Sequence, residues 1–292
     1  ALAILSGNLG YGKQIILDTL KSLPKALKEF APDGGWAEGP NYWRYSVMNL
    51  CQYMMSLETS LGSSFGIENY PGLAKTVDFI IHTVGPSGKD FNYGDTRANG
   101  FNYPTSVVRY FAQKYDKPIA SWFRNKTLSQ GYDKRNLDLV FDLLLYNPDF
   151  AISPKEINYP YDKYFKEVEI VTMRSSWQDK DALFAAMKGG NNKASHGDLD
   201  LGSFVLDALG IRLSEDLGGH NYNLPDYNFY RNRAEGHNTL VFNPEKHLLD
   251  QNRQAFAKVE KFNSGDLESL AVINLKWAYK ESYENPNNIL KR

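Results

Sequence analysis

The hydrophobic period of this chain changes once, at a proline-bearing stretch between Ser153 and Tyr161. Before that stretch, apolar residues recur at helical spacing; after it, they fall into short runs separated by turn residues. Ile15, Ile16, Leu20, Leu23 and Leu27 predict a helix that ends before the Pro32–Gly35 turn. A second helix starts near Pro40, carries Tyr45, Met48, Cys51, Met55 and Leu61 along one face, and closes at Gly62. A third follows Pro71 with Leu73, Val77, Ile80 and Ile81. Asn and Gly make residues 91–103 a loop, and helices resume at Val107, Val108, Tyr110 and Phe111, then at Leu137, Val140, Leu143 and Leu144. Strands are expected from Val168, then over residues 182–188, 202–209, 239–242, 256–262 and 267–275. Helices first and strands second imply an α+β chain of two packed units, residues 1–152 and 153–292, with a candidate site where they meet. Helix pairs joined by long, aromatic-bearing loops suit a toroid of hairpins better than a bundle.

At 292 residues the chain can bury a core, and a net charge of −1 provides no overall basic field for nucleic acid or an anionic surface. One cysteine, Cys51, rules out an internal disulfide and a cysteine-based structural zinc site. No apolar run reaches membrane-span length. The sequence opens directly in ALAIL and stops at NNILKR, so both ends read as cut and the lack of a leader says little. Aromatic residues make up 14%, which suits carbohydrate contact and equally an aromatic-rich β domain.

Reactive side chains concentrate in three places. In KGGNNKASHGDLDLGSF (188–204), His196, Asp198 and Asp200 alternate, so on a strand they would share one face. The plainer reading of that stretch is a polar hairpin turn. In DGGWAEGPNYWRYS (33–46), Glu38, Tyr42 and Tyr45 leave a Gly-rich turn into a helix start, where Tyr42 can be exposed; packing on a neighbouring hairpin is the competing reading. In residues 214–243, Asp216, His220, Tyr222, Tyr227, Tyr230, Arg231, Arg233 and His237 cluster. Asp198, Asp216 and His237 are of the ligand types that suit a divalent ion and could converge if their segments are adjacent strands. A turn cap at Asp216, a backbone-bonded His237 and a solvated Arg231 and Arg233 are the structural alternatives. Neither a phosphate-binding glycine loop nor a serine nucleophile motif is present.

Six ordered motifs, DGGWAEGPNYWRY, FNYGD, VTMRSSW, SHGDLDLGSFVLDALG, EDLGGHNY and EGHNTLVFN, together resemble the heparinase II/III-like polysaccharide lyases over most of the chain. The resemblance implies an incomplete α/α toroid followed by an antiparallel β-sandwich. It implies Tyr42 as general acid, His196 as base or its partner, and Tyr222 or Tyr227 as a tyrosine facing substrate. Asp198, Asp216 and His237 match the ligands of a structural divalent metal, zinc in the first instance, with calcium the harder alternative since Asp198 often corresponds to histidine. Leu213 stands where tryptophan is common. The expected substrate is an acidic, 4-linked uronate polysaccharide and the expected setting a bacterial periplasm or secretion; oligomeric state is left open.

The implied reaction is β-elimination. A neutralised carboxylate stabilises charge as the C5 proton leaves, and an acid protonates the O4 leaving group. Glu38 and Tyr45 are candidate substrate contacts, and Arg231 or Arg233 could bind carboxylate or sulfate bidentately. The family's asparagine that neutralises the uronate would precede Ala1, so the resemblance predicts a fragment of impaired activity, with further sandwich strands beyond Arg292. The competing expectations are a non-catalytic carbohydrate-binding protein on the same fold, and a glycoside hydrolase using Glu38 with Asp95 as its carboxyl pair.

Overall fold

The computed structural model describes residues 9–97, 107–129, 139–242 and 250–279. Among these, helices precede strands. They are α1 (Leu9–Ser22), α2 (Pro24–Leu27), α3 (Gly39–Leu61), α4 (Thr76–Thr83), α5 (Val107–Lys114), α6 (Pro118–Ser129) and α7 (Leu139–Leu144). Short 3-10 turns at Lys28–Phe30 and Leu73–Lys75 extend α2 and lead into α4.

The longest helix, α3, has the limits its punctuation dictates. Pro40 sits in its first turn, where a missing N–H costs nothing, and Gly62 at φ 73° turns left-handed and caps Glu58 O at 3.0 Å. Its inward face keeps Cys51, with Met48 and Met55 partly buried against the core, but is rotated from the expected one at both ends. Trp43, Val47, Leu50, Cys51, Met54 and Leu57 are buried, while Tyr45 and Leu61 are 64% and 47% exposed. Trp43 sets this rotation: its indole N–H donates to Thr76 Oγ1 at 2.7 Å, and that hydroxyl donates to Gly34 O at 2.9 Å. Gly34 (φ 83°) has room for no side chain, since a Cβ there would lie 2.5 Å from the Lys75–Thr76 backbone.

Helix α7 also faces differently from its apolar pattern. Val140, Leu143 and Leu144 are 54%, 79% and 70% exposed, and Asp142 is the buried residue. Arg109 Nε on α5 and Arg124 Nε on α6 donate to Asp142 at 2.7 and 3.0 Å, so an ion pair between helices orients α7. Leu137, part of the expected stripe, lies outside the described residues.

The strands are β1 (Lys163–Phe165), β2 (Ile170–Arg174), β3 (Phe184–Lys188), β4 (Gly190–Asn191), β5 (Phe204–Ala208), β6 (Ile211–Ser214), β7 (Phe256–Ser264) and β8 (Ser269–Asn274). Two sheets form, ordered β1-β2-β3-β5-β6 and β4-β7-β8, and every pairing is antiparallel. The expected strand over residues 239–242 is instead a loop. Its residues are fastened by side chains: Asn238 Nδ2 donates to Phe204 O at 2.7 Å and Thr239 Oγ1 to Leu201 O at 2.6 Å. Phe165, Ile170, Phe184, Ala186 and Val205 on one face of the larger sheet share a core with Phe79, Ile80 and Phe111 of the helices. Each such side chain contributes about 1.5–3 kcal/mol by leaving water, and this shared core holds helices and sheet together.

At this seam His82 is fully buried, its ring 5.1 Å from Tyr159 and 5.2 Å from Trp177, with neither ring nitrogen hydrogen-bonded among the described residues. Burial first, then the Arg174 and Lys163 charges, hold its pKa well below the ordinary value. The unfolded chain therefore takes up a proton near pH 6.5 that the folded chain refuses, and stability falls below that pH by up to about 1.4 kcal/mol per unit. His82→Leu should flatten this acid limb relative to the parent in urea melts at descending pH. Parallel losses in the two proteins would show that His82 is not the group responsible.

Candidate active site

His196 does not lie on a strand. It sits in the loop between β4 and β5, in the left-handed region at φ 55°, and its neighbours turn: Ala194 N bonds Asn191 O at 3.1 Å and Gly197 N bonds Ala194 O at 2.9 Å. The expected common face for His196, Asp198 and Asp200 is thereby lost. His196 is exposed, whereas Asp198 and Asp200 are buried.

The loop that meets it comes from the helical half. Asp95 N donates to His196 O at 3.1 Å, and Gly94, at φ 56°, approaches so closely that a Cβ there would lie 2.8 Å from that same carbonyl. Gly94 N donates to Asp200 Oδ2 at 2.8 Å, and the other oxygen of Asp200 is held by Lys188 Nζ, both side chains being buried. Asn92 Nδ2 donates to Asp216 O at 2.7 Å, and Gly219 N to Thr96 O at 3.1 Å. Residues 91–97 are thus stitched to the strand half by backbone and side chain alike.

These contacts gather five side chains. The His196 ring stacks on the Tyr42 ring with centroids 3.7 Å apart and planes 14° off parallel. His196 Nδ1 lies 3.1 Å from Asp95 Oδ2 and 3.3 Å from Tyr222 Oη. The Tyr222 hydroxyl donates to Asp95 Oδ2 at 2.6 Å, and the Tyr227 hydroxyl, from a π-helical turn at Tyr227–Arg231, donates to Asp95 Oδ1 at 3.1 Å. Tyr42 Oη is 3.0 Å from Tyr222 Oη; since Tyr222 gives its proton to Asp95, Tyr42 is the donor in that pair. Burial first, and then the acidic neighbours, push both Tyr222 and Tyr227 well above the ordinary phenol range, so both remain protonated donors.

Asp198, Asp216 and His237 also meet, in a buried pocket. His237 Nδ1 is 3.0 Å from Asp216 Oδ1, and His237 Nε2 is 3.6 Å from Asp198 Oδ2. Burial opposes charge on His237, but Asp216, Asp200 and Asp198 outweigh it and push its pKa up to about 9. Burial raises Asp198 to about 7. Asp216, bonded also by Ser203 Oγ, Gly218 N at 2.7 Å and Asn238 N at 3.2 Å, is held below its usual range by His237 and these donors despite its burial. Among the described residues, no three His, Cys, Asp or Glu side chains are arranged to hold one ion together. Asp198 Oδ1 and Oδ2 and His237 Nε2 are buried without a hydrogen-bond partner.

Among the described residues, no hydrogen bond joins the remaining expected contacts to the tyrosine–histidine cluster. Tyr45 points to solvent, and Glu38, half-buried at the start of α3, makes no side-chain cap bond there. Arg231 Nη1 is spent on Leu217 O at 2.9 Å and Arg233 Nε on Asp250 at 2.8 Å. A groove of about 900 Å³ lined by Tyr161, Trp177, Leu183 and Leu267 lies elsewhere, and Asp162 on its wall is already taken by Arg174 N and Ser264 Oγ. Asp95, which sequence reasoning offered only as half of a hydrolase's carboxyl pair with Glu38, stands at the centre of this cluster. Its signal was the Tyr-Gly-Asp turn of FNYGD, where the glycine permits the close approach to His196.

In overall shape this arrangement has relatives among solved structures. A heparan sulfate lyase HepC mutant from Pedobacter heparinus superposes at TM-score 0.64 and 17% identity over 86% of this chain and 36% of its own. A heparinase III structure gives TM-score 0.63 and 16% identity over 90% of this chain and 38% of its own. The chain has a heparinase-like fold. It spans little more than a third of the length of these structures. No family model and no curated protein sequence matches it. No helix among the described residues is long and apolar enough to cross a membrane.

Proposed function

We propose that the protein is a polysaccharide lyase that cleaves 4-linked uronate chains by β-elimination. The carrying observation is the stacked Tyr42–His196 pair, one residue from each half, backed by Asp95. His196 Nε2 has no partner among the described residues and is the nitrogen available to take the C5 proton of the sugar. Tyr42, whose hydroxyl already acts as a donor toward Tyr222, is suited to protonate O4 as the glycosidic bond breaks. The stacking holds both groups against one another without a covalent link, so each can serve one side of the same bond. In this reading the helices belong to an α/α toroid and the sheets to a β-sandwich, with the boundary near residue 152, in a periplasmic or secreted bacterial enzyme. The substrate is acidic, and the fold's heparinase relatives make heparan-like polymers the first candidates.

The hydrolase reading is disfavoured because Asp95 is buried and both of its oxygens already accept hydrogen bonds from the protein. The test is a screen of uronate polymers with the protein. The lyase product carries a new unsaturated uronide that absorbs in the ultraviolet; bond cleavage without that absorbance would sink the proposal.

If a divalent metal binds, Asp198 and His237, whose unpartnered buried atoms face each other, are the residues that would hold it, and the imidazole nitrogen favours zinc over the oxygen-seeking calcium. Asp216 would orient the imidazole from its far side, as an outer partner in place of a third ligand. When bound, such an ion would fix the loops before β5 and after β6. Asp198→Ala is expected to lose the metal found with the parent by elemental analysis. Equal metal content in both proteins would remove Asp198 from the ligand set.

A further inference from the structure

We infer that Asp95 is a positioning residue that selects the tautomer of His196, protonated on Nδ1 and open on Nε2, and that it ties Tyr222 and Tyr227 into the same frame. The catalytic consequence rests on the lyase reading; the tautomer assignment does not. Asp95 is 7% exposed and its carboxylate can only accept hydrogen bonds, so whatever faces it must donate. Tyr222 and Tyr227 each bring one proton to it, and His196 Nδ1, 3.1 Å away, must bring the third. A neutral imidazole has a single N–H, and spending it on Asp95 leaves Nε2 as a bare lone pair. That lone pair belongs to a ring already clamped flat on Tyr42 and held at its backbone by Asp95 N, so both the identity of the basic atom and its direction are set before any ligand arrives.

The same carboxylate fixes the donor direction of Tyr42. With Tyr222 committed to Asp95 Oδ2, Tyr222 Oη presents only lone pairs to Tyr42, which therefore keeps its own proton available. One acceptor thus gives opposite assignments to the two ends of the site, a bare nitrogen on His196 and a proton-bearing oxygen on Tyr42. Asp95 touches His196 directly and reaches Tyr42 through Tyr222, whose hydroxyl could donate or accept until Asp95 decides.

The experiment is a ring nitrogen-15 spectrum of the whole chain, taken above the ordinary histidine titration range, for the parent, Asp95→Ala and Tyr227→Phe. The parent should show His196 protonated on Nδ1. Asp95→Ala should move the population toward the Nε2-protonated form, and Tyr227→Phe, which removes a donor only, should leave it in place. A parent spectrum with the proton on Nε2 overturns the inference without any variant, so a poorly folding Asp95→Ala still leaves a decisive result. An unchanged tautomer in Asp95→Ala overturns it as well. In any form of the protein that releases unsaturated uronide, Asp95→Ala should lower kcat about 100-fold and leave KM little changed, the pattern of a misplaced base. A parent that holds the stated tautomer but cleaves the polymer without releasing unsaturated uronide would refute the lyase reading and leave the role of Asp95 standing.

Discussion

Replacing His196 by alanine is expected to lower release of unsaturated uronide by roughly 10²- to 10⁴-fold, the usual worth of a positioned proton-transfer group. The argument is geometric. Nε2 is the ring nitrogen without a hydrogen-bond partner among the described residues, and the ring cannot turn away because it is stacked on Tyr42 and hydrogen-bonded to Asp95. Tyr42→Phe keeps the stacking partner and removes only the hydroxyl, so it separates the two functions of that residue. The ring should stay in place while product formation falls by a comparable factor. Absorbance of the product at saturating polymer, with circular dichroism to confirm folding, makes the comparison. Near-parental rates in both variants would remove these residues from the mechanism.

The second large effect is on stability. Lys188 and Asp200 form an ion pair with both side chains almost fully out of water, and Asp200 also accepts the Gly94 N–H that brings the Asp95 turn against His196. Lys188→Met leaves a buried carboxylate without its cation and is expected to cost about 3–5 kcal/mol in denaturant unfolding. The double change Lys188→Met with Asp200→Asn should recover a large part of that loss, since the uncompensated charge is gone while an acceptor for Gly94 N remains. If the single variant unfolds at the parental midpoint, or the double is no better than the single, the pair is not the support proposed.

Much of the fold is legible in the residues. The change of period near Ser153 separates helices from strands, and Pro40 and Gly62 bound α3 because one cannot sit mid-helix and the other tolerates the left-handed turn. Helix faces were less legible. Tyr45 and Leu61 at the ends of the α3 stripe stayed in solvent while Met48 and Met55 pack partly against the core, and the rotation was fixed by the Trp43–Thr76–Gly34 hydrogen bonds, which join segments distant in sequence. On α7 the apolar stripe lost to Asp142 because two arginines from other helices had to be neutralised in the interior.

The site shows the same division. The spacing of His196, Asp198 and Asp200 imitates a strand, yet Gly189, Gly190 and Gly197 around it allow the turns that break the alternation. Residue types and order marked three clusters, containing Glu38, Tyr42 and Tyr45, then His196, Asp198 and Asp200, then Asp216 to His237, and the resemblance to heparinase II/III-like lyases narrowed them to Tyr42, His196, Tyr222, Tyr227, Asp198, Asp216 and His237. What only tertiary structure decided is that Asp95 stands at the centre of the tyrosine–histidine group and that Asp198, His237 and Asp216 meet in a buried one. Asp95 lies 101 positions from His196, and a pairing across that distance depends on how loops from two halves close on a shared core. Local patterns record which side chains can donate or accept, and the folded chain alone decides which of them meet.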